Sequence, residues 1–306
     1  MLKSGDSVIS IRDFDRESIL HVLSVAARLE SEDHLNLLRG KLLATMFLEP
    51  STRTRLSFAS AMMRLGGRVL DFGEAEHSSF KKGESLSDAL RVVAGYCDVI
   101  ALRHPWEGAA RLASRIAGVP VVNAGDGANQ HPTQTFLDLY TIQKVWGSIE
   151  GLTVGFVGDL KYGRTVHSLV TALMRFDCRQ VFVSPPTLAV PSGLLRELDA
   201  ADIEYRESED LAGTLPDLDI LYCTRIQRER FADSLEYERV KGAYRIDLDL
   251  LKKAGAKDTL RILHPLPRVG ELSPELDDTP YAVYFEQARN GVPIRQALLA
   301  LVLGKV

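Results

Sequence analysis

The chain has 306 residues, enough for two domains of ordinary size. Its 45% hydrophobic and 25% charged residues suit a soluble globular protein, and 37 Lys and Arg against 41 Asp and Glu exclude the basic excess of a nucleic-acid binder. Cys97, Cys178 and Cys223 form no CxxC, which argues against a disulfide framework or a structural zinc site and for a reducing, cytoplasmic setting. No signal peptide precedes the first structured segment, and the late apolar run 298–303 is too short to cross a bilayer.

Residues 11–38 read as a helix capped at Asp13 or Asp15, with Ile19, Leu20, Leu23, Ala26 and Ala27 as its stripe. The apolar run 42–48 reads as a buried strand, stopped by Glu49-Pro50 because proline removes a ladder donor. Ser51-Thr52 then supplies N-cap chemistry for a helix that places Leu56, Ala59 and Met63 on one face and ends at Gly66-Gly67. Ser51, Thr52, Arg53 and Thr54 therefore stand at a helix N-terminus that points out of a sheet, where free N–H groups and the positive dipole end converge. Capping explains one hydroxyl. It does not explain Arg53 and Arg55 at the helix end where positive charge is unfavourable, so the stretch reads as an anion site suited to phosphate.

A strand at 68–72, a polar loop at 76–85 and a helix at 86–96 lead to a strand at 98–102 that ends in Arg103-His104-Pro105. A helix at 107–118, a strand at 119–123 and the segment Gln130-His131-Pro132-Thr133-Gln134 follow, then a helix to 146. This strand–helix alternation marks a parallel sheet with helices on both faces, and Thr52, Arg53, Arg103 and His131 fall at strand ends, where ligands collect in such sheets. A domain junction is expected at 149–151. Beyond it a second series runs through strands at 152–157, 181–183, 203–205, 219–223 and 261–263 and helices at 166–176, 192–200 and 248–254. Arg164, Arg225 and Arg268 follow strands here too, and the apolar stretch 285–303 reads as one helix that docks on the first domain or on a neighbour.

Gly158-x4-Gly163-Arg164-Thr165 resembles a P-loop between strand and helix, but Arg replaces the Lys that acts there as a compact charge. A dehydrogenase reading fails on spacing, since Gly155-x-x-Gly158 is not G-x-G-x-x-G. The expected fold is α/β, with two domains, each a parallel sheet with helices on both faces, and an active site in the cleft between them. A phosphate cradle with His131 would lie on one side and Arg164 with Arg225, a pair fit for a dicarboxylate, on the other. Neither a nucleophilic set nor metal-ligand spacing is visible, so catalysis would rest on orientation and electrostatics.

Ser51-Thr52-Arg53-Thr54-Arg55, Arg103-His104-Pro105, His131-Pro132-Thr133-Gln134 and His264-Pro265-Leu266-Pro267 together resemble the carbamoyltransferase family. Thr224-Arg225-Ile226-Gln227-x-Glu229-Arg230 and Pro265, where the ornithine-using branch carries a Cys, are similar to its aspartate-using branch. The resemblance runs end to end, with five spaced motifs in order.

It implies transfer of a carbamoyl group from carbamoyl phosphate to the amine of L-aspartate in pyrimidine synthesis, without a cofactor or metal. The carbamoyl-phosphate-binding domain would be 1–146, with 285–306 packing back on it, and the aspartate-binding domain 147–284. By resemblance, Ser51, Thr52, Arg53, Thr54 and Arg103 hold the phosphate, and Thr54, Arg103 and His131 stabilise the tetrahedral intermediate. Gln134 and the carbonyls of Pro265 and Leu266, with Pro267 in the same set, take the carbamoyl amide. Arg164, Arg225 and Gln227 bind aspartate, while Ser78 and Lys82 arrive from an adjacent subunit of a homotrimer, Lys82 also reaching the aspartate. Glu49 would brace the cleft through Arg164 and Arg230. His264 is read as structural, Arg268 as support outside the site and Arg55 as an ion-pair residue, while Gly270 stands where some relatives carry an acid. The resemblance leaves open whether regulatory chains join trimers into a larger assembly.

Overall fold

The computed structural model describes residues 1–31, 34–72, 83–226, 234–240 and 242–306. The chain forms two compact units, one of Met1–Tyr140 with Asn290–Val306 and one of Thr141–Arg289.

In the first unit, strands β1 (Leu42–Phe47), β2 (Arg68–Asp71), β3 (Val99–His104) and β4 (Val121–Asp126) form one parallel sheet in the order β2-β1-β3-β4. β3 and β4 are buried along nearly their whole length, as strands covered on both faces must be, whereas β2 at the edge is mostly exposed. Helices α1 (Arg16–Ser31), α2 (Thr52–Arg64), α3 (Leu86–Ala94), α4 (Ala109–Ile116) and the start of α5 (Pro132–Trp146) alternate with the strands. The strand order reverses between β1 and β3, so the loops after these two strands flank a topological switch point.

The second unit is a five-stranded parallel sheet of β5 (Thr153–Val157), β6 (Arg179–Val183), β7 (Tyr205–Ser208), β8 (Ile220–Cys223) and β9 (Arg261–Leu263), ordered β7-β6-β5-β8-β9. Its switch point lies between β5 and β8. The helices are α6 (Arg164–Leu173), α7 (Ser192–Ala200), the short α8 (Leu211–Thr214), α9 (Ser234–Val240), α10 (Leu248–Ala254) and α11 (Tyr284–Arg289). A separate helix, α12 (Gly291–Val302), returns to the first unit and packs on α1 and α2.

Three expectations need correction. The helix expected over 11–38 is a single 3-10 turn, Ile11–Asp13, followed by α1, because Asp15 Oδ1 accepts from the Ser18 N–H at 2.8 Å and restarts the helix there. The helix expected over 285–303 is broken at Asn290: Pro293 has no N–H for the Arg289 carbonyl, so it sits in the first turn of a new helix instead. On α2 the buried stripe is Thr54, Phe58, Ala61 and Met62, while Leu56 and Met63 are 59% and 62% exposed. Most strands run close to expectation, with β3 extending through Arg103 and His104 and β4 through Asp126, while β7 begins at Tyr205, where the strand expected at 203–205 ends.

Candidate active site

Ser51 is the N-cap residue of α2, yet its side chain makes no capping hydrogen bond, and the first turn carries no acid. The N–H groups of Thr52, Arg53 and Thr54 precede the first intrahelical bond, Arg55 N–H to Ser51 C=O at 3.1 Å. Thr52 and Arg53 are exposed, Ser51 is half-buried and Thr54 is buried. Arg55 lies apart from this group in function: its Nη1 is 3.3 Å from Asp71 Oδ2 on β2, as its ion-pair reading expected.

Arg103 is the residue of β3 that pairs in register with Phe47 of β1. The Leu48 N–H donates to its carbonyl at 2.8 Å, which fixes the start of the loop toward Ser51. Its guanidinium donates from Nη1 to the Ala124 carbonyl at 3.2 Å and lies 3.0 Å from Glu49 Oε2 through Nη2. The β3–β4 register slips between Leu102 and His104, so β4 carries an extra residue at Ala124-Gly125, and that bulge turns the Ala124 carbonyl toward the arginine. Glu49 thus holds Arg103; of its two expected partners, Arg230 lies outside the described residues and Arg164 belongs to the second unit.

The turn that delivers His131 is built on Asp126, a residue absent from the motif reading. Its buried carboxylate accepts from Asn123 Nδ2 and the Gln130 N–H at Oδ1, and from Asn129 Nδ2 and the Gly108 N–H at Oδ2, all between 2.9 and 3.1 Å. Four converging donors immobilise the 126–130 turn. The sequence signal, Gly125-Asp126-Gly127, reads only as a turn. His131, 4% exposed, precedes α5, and its Nδ1 is 3.5 Å from Thr133 Oγ1. Gln134 donates through Nε2 to Asp138 Oδ1 at 2.8 Å. An ionised carboxylate only accepts, so this bond places the Gln134 amide nitrogen on Asp138 and leaves Oε1 to accept from a ligand amide.

In the second unit the residue after β5 is Gly158 at φ +116°, where a Cβ would fall 2.2 Å from the Thr224 carbonyl oxygen beyond β8. Glycine is needed there for close approach of two strand ends, so the P-loop-like pattern has a packing cause. Gly163 caps α6, whose first residue is Arg164, and that turn also carries no acid. Arg225 follows Thr224, whose N–H donates to the Val157 carbonyl at 2.9 Å, so the two arginines flank the switch point of their own sheet. Both are half-buried.

After β9, the His264 N–H donates to Gln287 Oε1 at 2.7 Å, and its Nδ1 accepts from the Leu266 N–H at 2.7 Å. The ring proton is therefore on Nε2, which donates to Glu271 Oε1 at 2.8 Å. Glu271 Oε2 accepts from Val269 and Gly270 N–H at 3.0 and 2.9 Å. This network pins the loop that carries Pro265, Leu266 and Pro267, with Leu266 at φ +54°. Arg268 is bidentate on Asp277 and covers the Tyr284 and Phe285 rings, a bracing role. Burial pushes the Glu271 carboxyl up, but hydrogen bonds from His264 and the Gly270, Glu271 and Val269 backbone outweigh it and hold the group down to about 2, against an ordinary 4.5. A depressed carboxyl stabilises the fold above pH 4.5 and loses that contribution as pH falls toward 2. Glu271→Gln should therefore melt below the parent at neutral pH, with the gap in Tm closing between about pH 5 and about pH 2. Parallel melting curves across that window would contradict this.

Ser78, Lys82, Gln227 and Arg230 lie outside the described residues. The remaining predicted residues form groups at strand ends of their own units: 51–54, Arg103, His131 and Gln134 in the first, and Arg164, Arg225 and 265–267 in the second.

Comparison with known proteins agrees in extent with both groups. A family profile described as aspartate/ornithine carbamoyltransferase, carbamoyl-P binding domain, matches residues 6–144, and one described as the Asp/Orn binding domain matches residues 150–302. A Thermococcus kodakarensis protein named aspartate carbamoyltransferase catalytic subunit is 58% identical over 304 residues, covering 98% of this chain and 97% of that protein. The solved catalytic subunit of M. jannaschii aspartate transcarbamoylase is 50% identical, with a TM-score of 0.90 over 98% of each chain. The Trypanosoma cruzi aspartate transcarbamoylase in complex with carbamoyl phosphate and aspartate is 37% identical, with a TM-score of 0.90 over 98% of this chain and 97% of that one.

Proposed function

The chain belongs to the aspartate/ornithine carbamoyltransferase family, and from that premise we propose that it transfers the carbamoyl group of carbamoyl phosphate to the amine of L-aspartate, giving N-carbamoyl-L-aspartate and phosphate for pyrimidine synthesis. The observation that carries the assignment is the pair of anion-directed groups at two sheet switch points, one at a helix N-terminus with hydroxyls and Arg53, the other with Arg164 and Arg225.

In this mechanism Ser51, Thr52, Arg53 and Thr54 hold the phosphate with Arg103, and charge-assisted hydrogen bonds strengthen as the bridging oxygen takes up negative charge. The aspartate amine attacks the carbamoyl carbon. Thr54, Arg103 and His131 donate to the oxygen that becomes anionic in the tetrahedral intermediate. Gln134 Oε1 accepts from the carbamoyl NH2, a role supported by its nitrogen being engaged by Asp138. The carbonyls of Pro265 and Leu266 share that role, and the pinned loop keeps them oriented. When the intermediate collapses, the C–O bond to phosphate breaks and the departing phosphate takes the amine proton, so no separate base is required. Arg164, Arg225 and Gln227 bind the two aspartate carboxylates. The first domain, 1–146, is assigned to carbamoyl phosphate and the second, 147–284, to aspartate. Mass spectrometric detection of N-carbamoyl-L-aspartate from the two substrates tests the reading; hydrolysis of carbamoyl phosphate without that product contradicts it.

The active unit is a homotrimer in this reading, with Ser78 and Lys82 of one chain completing a neighbour's site. An exposed apolar face supports association: Leu56 and Met63 project from the same side of α2, and Leu70 on the adjoining edge strand β2 is 40% exposed. Leu56→Glu with Met63→Glu should convert a trimer to monomers in light scattering and remove most activity. A parent protein that is monomeric and active would overturn the shared site. A reducing cytoplasmic setting is part of this reading, with Cys97, Cys178 and Cys223 as free thiols.

A further inference from the structure

Arg295 lies in the middle of the apolar helix α12, and only 3% of it is exposed. A buried charge is kept only where partners compensate its lost hydration. Here Nη1 donates to Ser57 Oγ at 2.8 Å and Nη2 to Thr133 Oγ1 at 3.3 Å, while the guanidinium carbon lies 5.0 Å from the Phe58 ring centre. The backbone makes room for it, since a Cβ on Gly291 would fall 2.1 Å from Nη1. Burial pushes the guanidinium down to about 10, opposed by the carboxylate of buried Asp138, so it remains a cation at neutral pH.

Every one of these partners stands one step from a residue assigned to the site. Ser57 follows Thr54 by three residues, on the same side of α2. Thr133 Oγ1 is 3.5 Å from His131 Nδ1, and Asp138 accepts from Gln134. A guanidinium is donor-only. The Thr133 oxygen that accepts from Arg295 keeps its own proton available for His131 Nδ1, 3.5 Å away. Donation of that proton to Nδ1 goes with an imidazole proton on Nε2, the form that the role assigned to His131 requires.

We propose that Arg295 is a positioning residue for the carbamoyl-transfer site, fixing the first turns of α2 and α5 against each other and, through Thr133, holding His131 as the Nε2–H tautomer that donates to the carbonyl oxygen. This rests on the role assigned to His131 above. Lysine cannot replace Arg295, because one ammonium cannot span Ser57 and Thr133 in the planar geometry of the fork.

The test compares the parent, Arg295→Lys, Thr133→Val and Thr133→Ser by calorimetry with inorganic phosphate and by kcat and KM for each substrate. Arg295→Lys should weaken phosphate binding about tenfold and lower kcat about a hundredfold, as expected for a displaced site, with the aspartate KM within about twofold. Thr133→Val should lower kcat about tenfold with phosphate affinity unchanged, and Thr133→Ser, which keeps the hydroxyl, should restore it. Arg295→Lys with phosphate Kd and kcat both within about twofold of the parent overturns the proposal, and so does Thr133→Val turning over like Thr133→Ser. Should Arg295→Lys fail to fold, the Thr133 pair decides. A parent that binds phosphate but makes no carbamoyl-aspartate counts against the assigned reaction, while the phosphate affinities of parent and Arg295→Lys still decide the positioning role.

Discussion

Arg103→Ala is expected to lower kcat by about three orders of magnitude and to raise the carbamoyl phosphate KM, because in the proposed mechanism one guanidinium serves both the developing oxyanion and the departing phosphate. Preorganisation is the physical reason for so large an effect. The side chain is 11% exposed and already oriented by the Ala124 carbonyl and Glu49, so little reorganisation accompanies charge development in the transition state. Truncation also removes the cation 3.0 Å from Glu49 Oε2, so the negative charge near the proposed anion site is less compensated. Arg103→Lys keeps a charge but not the two-pronged geometry, and should recover only part of the rate. Steady-state kinetics beside thermal melts separates this from unfolding: kcat must collapse while most of the Tm is retained. Turnover within about tenfold of the parent would remove Arg103 from the oxyanion role.

Arg164→Ala and Arg225→Ala should each raise the aspartate KM by at least about a hundredfold, since in the proposed mechanism each would lose a charge-assisted contact with a carboxylate. Turnover should fall as well, because a loosely held amine reaches the carbamoyl carbon less often in line for attack. The carbamoyl phosphate KM should move by no more than about twofold, as both arginines stand on the second sheet and the phosphate group on the first. Unchanged kinetics for Arg164→Ala would remove that residue from the site. A rise in both KM values together would point instead to a folding defect.

Much of this was legible in the chain because the signals are local. Apolar runs of strand length, each closed by Gly, Pro or a charged residue, mark buried parallel strands, and arginines at a helix start conflict with the helix dipole, although Arg55 is met by Asp71 of β2 rather than by a ligand. Other features were not local. Two apolar stripes on α2 satisfy the same 3.6-residue period, and only the packed structure distinguishes Phe58 and Met62, which are buried, from Leu56 and Met63, which face outward. Asp126 is hidden inside a glycine turn, and its four donors come from positions 108 to 130. Arg295 looks like an isolated charge in an apolar helix, and its meaning depends on Ser57 and Thr133, 238 and 162 residues away. The pairing of Glu49 with Arg103 likewise joins the loop after β1 to the end of β3, which only the β1–β3 register brings together. The carbamoyl group and the assignment of Ser78 and Lys82 to a neighbour's site rest on resemblance, since spacing has no means of expressing either.

Phosphate release from carbamoyl phosphate, with L-aspartate or L-ornithine as the acceptor, measures directly whether this chain carbamoylates aspartate. Release that depends on aspartate and is absent with ornithine is the predicted result, and it would tie the acceptor site to Arg164 and Arg225. Release with ornithine alone would contradict the assigned acceptor while leaving the 51–54 phosphate group standing, and release with neither would contradict the proposed activity itself.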